Sequence, residues 1–158
     1  MKAKRLFILF AVLACLVVAF IFCQSILDRQ ESAAQSGIFA AFFQRLLDPH
    51  GRIDSEVFHG FIRKTAHFVE FFTLGLFTAA ASINLGCIKG RRYVAAPMLL
   101  TLATAVADEY LHFFTGRGSQ VTDVVLDYSG ALTGLATAAL LSYILTKMRQ
   151  KRGMNHDA

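Results

Sequence analysis

The sequence predicts an all-α polytopic membrane protein with four transmembrane helices and an interfacial, extracytoplasmic helical segment between the first and second. Two observations carry this. Over half of the 158 residues are hydrophobic and only 17% are charged, with a mean hydropathy of +0.49. That is more apolar surface than one soluble domain of this length can bury. The apolar residues also fall into runs of span length, divided by short charged stretches. Residues 1–158 make a single domain, with no room for a soluble catalytic module beside it.

The first run, Leu6–Cys23, has no charge and follows Lys2, Lys4 and Arg5. It is longer than the apolar core of a signal peptide and no small-x-small cleavage site follows, so it is expected to be an uncleaved span. Residues 24–64 form the one long non-spanning part. Within it Ile38, Phe39, Phe42, Phe43, Leu46 and Leu47 recur at three- and four-residue steps, the pattern of a short amphipathic helix lying in the interface. Asp48-Pro49-His50-Gly51 ends that helix. A new helix is expected to start near Asp54 or Ser55, either of which can cap it, and to run unbroken into the second span, 66–85.

Along that helix Glu56, His59, Arg63, His67 and Glu70 mark one polar stripe descending into the bilayer. Residues 86–93 read as a tight basic turn. The third span is 94–114, with Pro97 tolerated in its first turn. The fourth is 124–146, where Gly130, Gly134 and Ala138 make a small-xxx-small row that lets another helix approach closely. A basic tail, 147–158, ends the chain.

Charge placement sets the expected orientation. Lys2, Lys4, Arg5, Lys89, Arg91, Arg92, Lys147, Arg149, Lys151 and Arg152 lie on one side of the spans. Six bases are spread over the longer segments of the other side. The positive-inside rule puts both termini in the cytoplasm. The net charge of +5 is thereby a topology signal, and no nucleic-acid partner is expected. Three scattered cysteines, Cys15, Cys23 and Cys87, without a CxxC, exclude a disulfide framework.

With this topology the polar ends of spans two, three and four meet on the outer side. An ionisable group in a hydrocarbon layer costs several kcal/mol unless paired or facing a polar cavity, so it marks function by default. His67 and Glu70 share a face of span two with Lys64. Asp108 and Glu109 stand four and three residues before His112 on span three, within reach of its imidazole. Asp123 and Asp127 are one turn apart on span four, and Arg117 lies in the connecting loop. The expected catalytic candidates are His67, Glu70, Asp108, Glu109, His112 and Asp127. The expected ligand-binding residues are Arg63, Lys64, Arg117 and Asp123, gripping a phosphate or carboxylate. Interhelical pairing alone is the competing explanation, but it needs one or two polar contacts and not eight. A metal site is a further competing reading, since His67-x-x-Glu70 and Asp108 with His112 offer plausible ligands. HExxH is absent and the nearby bases would oppose a cation, so no metal and no cofactor are expected.

These motifs resemble the VanZ-like family of bacterial membrane proteins. The similar parts are Ile62–Gly75, reading IRKTAHFVEFFTLG, and the series Asp108-Glu109, Phe114, Gly116-Arg117, Asp123-Val124, Asp127, Gly130-Ala131 and Gly134. The polar entry Ser25, Glu31-Ser32 and Gln35-Ser36 is similar too. His112 stands where a glutamine is expected, and the turn before Arg117 lacks the usual proline. The resemblance implies a small multi-helix protein of the cytoplasmic membrane, in a family whose namesake is associated with resistance to the glycopeptide teicoplanin. The expected function is binding of a lipid or cell-wall-precursor head group at the outer leaflet. The alternative is a hydrolase or transferase on such a head group, with His67 as base and Glu70 or Asp127 orienting it.

Overall fold

The computed structural model describes residues 1–26, 42–46, 53–115 and 119–154. Among them the chain is helical and forms no strand. The long helices are α1 (Lys2–Ile26), α2 (Ser55–Lys89), α3 (Ala95–Phe114) and α4 (Val121–Met154).

Three of the four, α1, α2 and α4, are long and apolar enough to cross a membrane. The 20 residues of α3 reach roughly 30 Å, the thickness of a hydrocarbon core. Its second half, however, carries Asp108, Glu109 and His112, which dilute its apolar character. The four expected spans are thus three by apolarity, with α3 standing apart.

Local chemistry explains where the helices begin and end. α1 runs one turn beyond its apolar run, to Ile26, with Ser25 Oγ 2.8 Å from the Ile21 carbonyl oxygen. The side chain of Asp54 caps α2 by accepting from the Glu56 N–H at 2.8 Å. Glu56 in the first turn and Lys89 in the last suit the helix dipole. The helix then runs unbroken for 35 residues, about 50 Å, so it extends past any single bilayer core. It runs into the expected turn at 86–93 and stops at Gly90. There a φ of 66° and a bond from its N–H to the Gly86 carbonyl close the last turn, a conformation glycine adopts without a Cβ penalty. Pro97 lies in the first turn of α3, where its missing N–H costs nothing.

Packing centres on α2, which touches all three other helices, α4 most extensively and α1 next. The small residues set this contact. A Cβ at Gly134 would overlap the Phe72 carbonyl, and one at Gly75 would overlap that of Ala131. A Cβ at Gly130 would sit 2.5 Å from the Phe68 oxygen. The expected glycine row on α4 therefore seats α2, with Gly75 answering from the other side. Without a hydrophobic driving force between helices in lipid, such close backbone approach supplies the dispersion contact that holds them.

The exterior of the bundle is apolar, and polar groups share its interior with an apolar core around Phe71 and Leu74. Leu9, Val12, Leu16 and Phe20 on α1, Leu99, Val106 and Phe113 on α3, and Leu140 and Leu145 on α4 face outward. Inside lie Thr101, Thr104, Asp108, Glu109, His112 and Asp127. Buried charge beneath an apolar exterior is what a lipid environment demands. Of the expected interfacial helix, residues 42–46 are described and helical, with Phe42 and Leu46 exposed; its remainder lies outside the described residues.

Candidate functional site

The C-terminal ends of α1 and α3 meet the N-terminal half of α2 and the start of α4 at one end of the bundle. Asp108 is at the centre of that meeting and is fully buried. Its Oδ1 accepts from the Ser25 hydroxyl of α1. Its Oδ2 lies 3.8 Å from His67 Nδ1 on α2 and 4.0 Å from His112 Nε2 on its own helix. His67 Nδ1 is also 3.9 Å from Asp127 Oδ1 on α4. One carboxylate and one imidazole thus join four helices. The two imidazole rings stand edge to face with centroids 5.7 Å apart.

Glu109 fixes the neighbours of this centre. Its Oε2 is 3.2 Å from His112 Nδ1, and its Oε1 accepts the Gln120 N–H at 2.5 Å. Because a carboxylate only accepts, His112 Nδ1 is the ring nitrogen that carries the proton toward it, which leaves Nε2 facing Asp108. The bond to Gln120 holds the residue just before α4, where a negative group also meets the positive end of the helix dipole. Glu109, one of the expected catalytic candidates, thus contacts both His112 and the residue just before α4.

A small cavity of about 50 Å³ opens beside the centre, lined by Arg63, Lys64, His67, Glu109, His112, Gln120, Asp123, Leu126 and Asp127. Its charges are layered. Lys64, half exposed, pairs with Asp123 at 3.4 Å, and Arg63 is exposed one turn from His67. The deeper wall is formed by buried Glu109, His112 and Asp127. The bases expected to oppose a cation thus stay at the mouth, one of them already facing an acid. Among the described residues, His112 Nε2 and Asp127 Oδ1 are buried and have no hydrogen-bond partner.

Of the ten residues expected from sequence, the structure brings together Arg63, Lys64, His67, Asp108, Glu109, His112, Asp123 and Asp127. Glu70 is half-buried one turn further along α2 and does not line the cavity. Arg117 lies outside the described residues. Two contributors escaped the sequence reading. Ser25 was placed in the loop after the first span, although its position one turn beyond the apolar run permits an inward-facing hydroxyl. Gln120 acts through its main-chain N–H, which no side chain announces.

Buried acids and imidazoles at one end of helices with apolar exteriors define a helical membrane protein with a polar centre. The chain belongs to the VanZ/LLP1 family, whose model matches residues 10–142, a stretch that contains every residue of the cavity. Comparisons with curated proteins and with solved structures gave no match.

Proposed function

We propose that this VanZ-like membrane protein binds the phosphate-bearing head group of a lipid or lipid-linked cell-wall precursor at the outer leaflet of the bacterial cytoplasmic membrane. The observation that carries this reading is the layered cavity: Arg63 and Lys64 at the mouth, above a buried polar floor. A guanidinium and an ammonium at the level of lipid head groups suit a phosphate, the first by paired hydrogen bonds and the second as a point charge. A volume of about 50 Å³ admits an ion or a few waters. The head group would therefore rest on the mouth, with only its charged end directed inward. The ten bases on the opposite side of the spans support an outward-facing mouth and cytoplasmic termini. On that side a glycopeptide meets lipid-linked precursor, so occupancy of the head group would change access of the drug to it.

Lipid retained through mild detergent extraction, identified by native mass spectrometry, tests the reading. Wild-type protein is expected to hold a phosphate-bearing lipid, and the double variant Arg63→Gln/Lys64→Gln to hold at least ~10-fold less. Equal retention would sink the proposal. The stability cost of Lys64→Gln is expected to stay under about 1 kcal/mol, because its ion pair is exposed.

Orientation has its own check. In a variant lacking Cys15, Cys23 and Cys87, a cysteine replacing Asp54 is expected to react with a membrane-impermeant maleimide in intact cells. One replacing Met148 is expected to react only after permeabilisation. The reverse pattern would move the mouth to the cytoplasm.

A second reading is favoured by one observation, the placement of His67 between two carboxylates. That is the setting of a general base held in position by acids, and it would suit a hydrolase or transferase acting on the same head group. His67→Ala would then abolish turnover while leaving retention of lipid intact, whereas in a binder without chemistry retention and cellular effect fall together.

A further inference from the structure

We propose that His67, Asp108 and Asp127 form a binding site for a divalent transition-metal ion of the zinc or manganese class. This inference goes beyond the head-group reading and does not depend on it.

The geometry is that of a coordination cup. His67 Nδ1 lies 3.8 Å from Asp108 Oδ2 and 3.9 Å from Asp127 Oδ1, and one ligand atom from each residue lies within 4.8 Å of the others. Separations of 3.8–3.9 Å are too long for hydrogen bonds, which end near 3.2 Å. They fall within about half an ångström of the ~3.4 Å edge of a tetrahedron of zinc ligands at 2.1 Å. A point equidistant from three atoms so spaced lies no more than about 2.5 Å from each, so small side-chain adjustments bring it to bonding distance. Each of the three comes from a different helix, and the glycine contacts between α2 and α4 hold two of those helices rigidly.

The surroundings fit a metal better than an ion-pair network. Asp127 is 1% exposed, yet its Oδ1 accepts no hydrogen bond from any described residue. A buried carboxylate oxygen left so is costly unless a cation faces it. His112 Nε2, equally without a hydrogen bond, faces Asp108 Oδ2 at 4.0 Å, a position from which it can bind the ion or a water on it. The bond of Glu109 to His112 Nδ1 is the carboxylate–imidazole support that metal-site histidines commonly have. The nearby bases do not oppose a cation here, because Lys64 faces Asp123 at the mouth and the deep wall is acidic. Imidazole together with two carboxylates favours zinc, manganese or iron over magnesium or calcium, which prefer oxygen alone. Three protein ligands leave one position open toward the cavity, the arrangement of sites that bind an exchangeable group.

The test uses the full chain, purified in detergent with an affinity tag free of histidine. Elemental analysis after equilibration with Zn²⁺ and desalting is expected to find one zinc per chain. Substituted Co²⁺ is expected to give visible d–d absorption that Zn²⁺ displaces. Asp127→Asn and His67→Gln are each expected to lower the zinc affinity at least ~100-fold, beyond the loss caused by removing a supporting residue. A measurement that needs no variant accompanies these: Zn²⁺ is expected to raise the melting temperature of the wild type, since binding to the folded state alone stabilises it. Mg²⁺ at the same concentration is expected not to. Substoichiometric zinc, variants that bind as well as the wild type, no rise in melting temperature, or an equal rise with Mg²⁺ would each overturn the proposal. Lipid retention is read separately, so failure here leaves the head-group reading standing, and the converse.

Discussion

Gly134→Leu is expected to abolish the folded bundle, with little monodisperse protein recovered in detergent. Even the first carbon of a side chain at this position would overlap the Phe72 carbonyl and press on the Leu76 amide. Both are backbone atoms of α2, so no rotamer change relieves the clash and the helices must separate. Overpacking a core costs ~1–3 kcal/mol where side chains can shift; a clash with backbone exceeds that range. Gly130→Leu is expected to behave alike, whereas Gly60→Ala, where nothing lies within 4 Å, should leave recovery unchanged. Size-exclusion profiles of a fluorescent fusion compare the three directly. Normal recovery of Gly134→Leu would mean that α2 and α4 do not meet as described.

The second large effect is expected at Asp108, where two substitutions of similar size should part company. Asp108→Leu removes the acceptor of Ser25 and the group facing both imidazoles, and sets an apolar side chain against all three. Stranding the partners of a buried charge costs roughly 3–5 kcal/mol. Asp108→Asn keeps a carbonyl oxygen for Ser25 and places an amide toward the rings, so its cost should be nearer ~1 kcal/mol. Unfolding in increasing SDS, followed by circular dichroism, measures the difference. If the two variants unfold together, the carboxylate does not tie the helices to one another.

Much of this arrangement was legible in the chain itself. The helical repeat of Glu56, His59, Arg63 and His67 carried the reading of one long helix from near residue 55 to 85, and Asp54 supplied its start. The four-residue glycine spacing on α4 announced a close neighbour. Alternation of the connecting segments between the two ends of the bundle was enough to bring His67, Asp108 and Asp127 to one end. The finer order was not legible, because it depends on rotation and depth. Nothing in the spacing separates Asp108, which is wholly enclosed and contacts three helices, from Glu109, which faces the next helix start. Nor does it show that Lys64 meets Asp123 and stays at the mouth, which changes the charge of the interior from mixed to acidic. Ser25 was lost because the apolar run that defines a span ends at Cys23, and a helix can continue past that point.

The polar second half of α3 also bears on how the chain is assembled in the bilayer. Placed alone in lipid, a helix with two acids and an imidazole in its last turns is penalised by several kcal/mol. Beyond their contacts with one another, Asp108 and Glu109 find partners at Ser25 on α1, His67 on α2 and the Gln120 N–H just before α4. In the proposed arrangement α3 therefore cannot settle when it leaves the insertion machinery. It must wait, held near the headgroups or beside α2 as a hairpin, until synthesis of α4 completes its company. Membrane entry of the third helix is then an outcome of tertiary folding, and a ribosome stalled before residue 127 would leave the protein with its most polar helix unaccommodated.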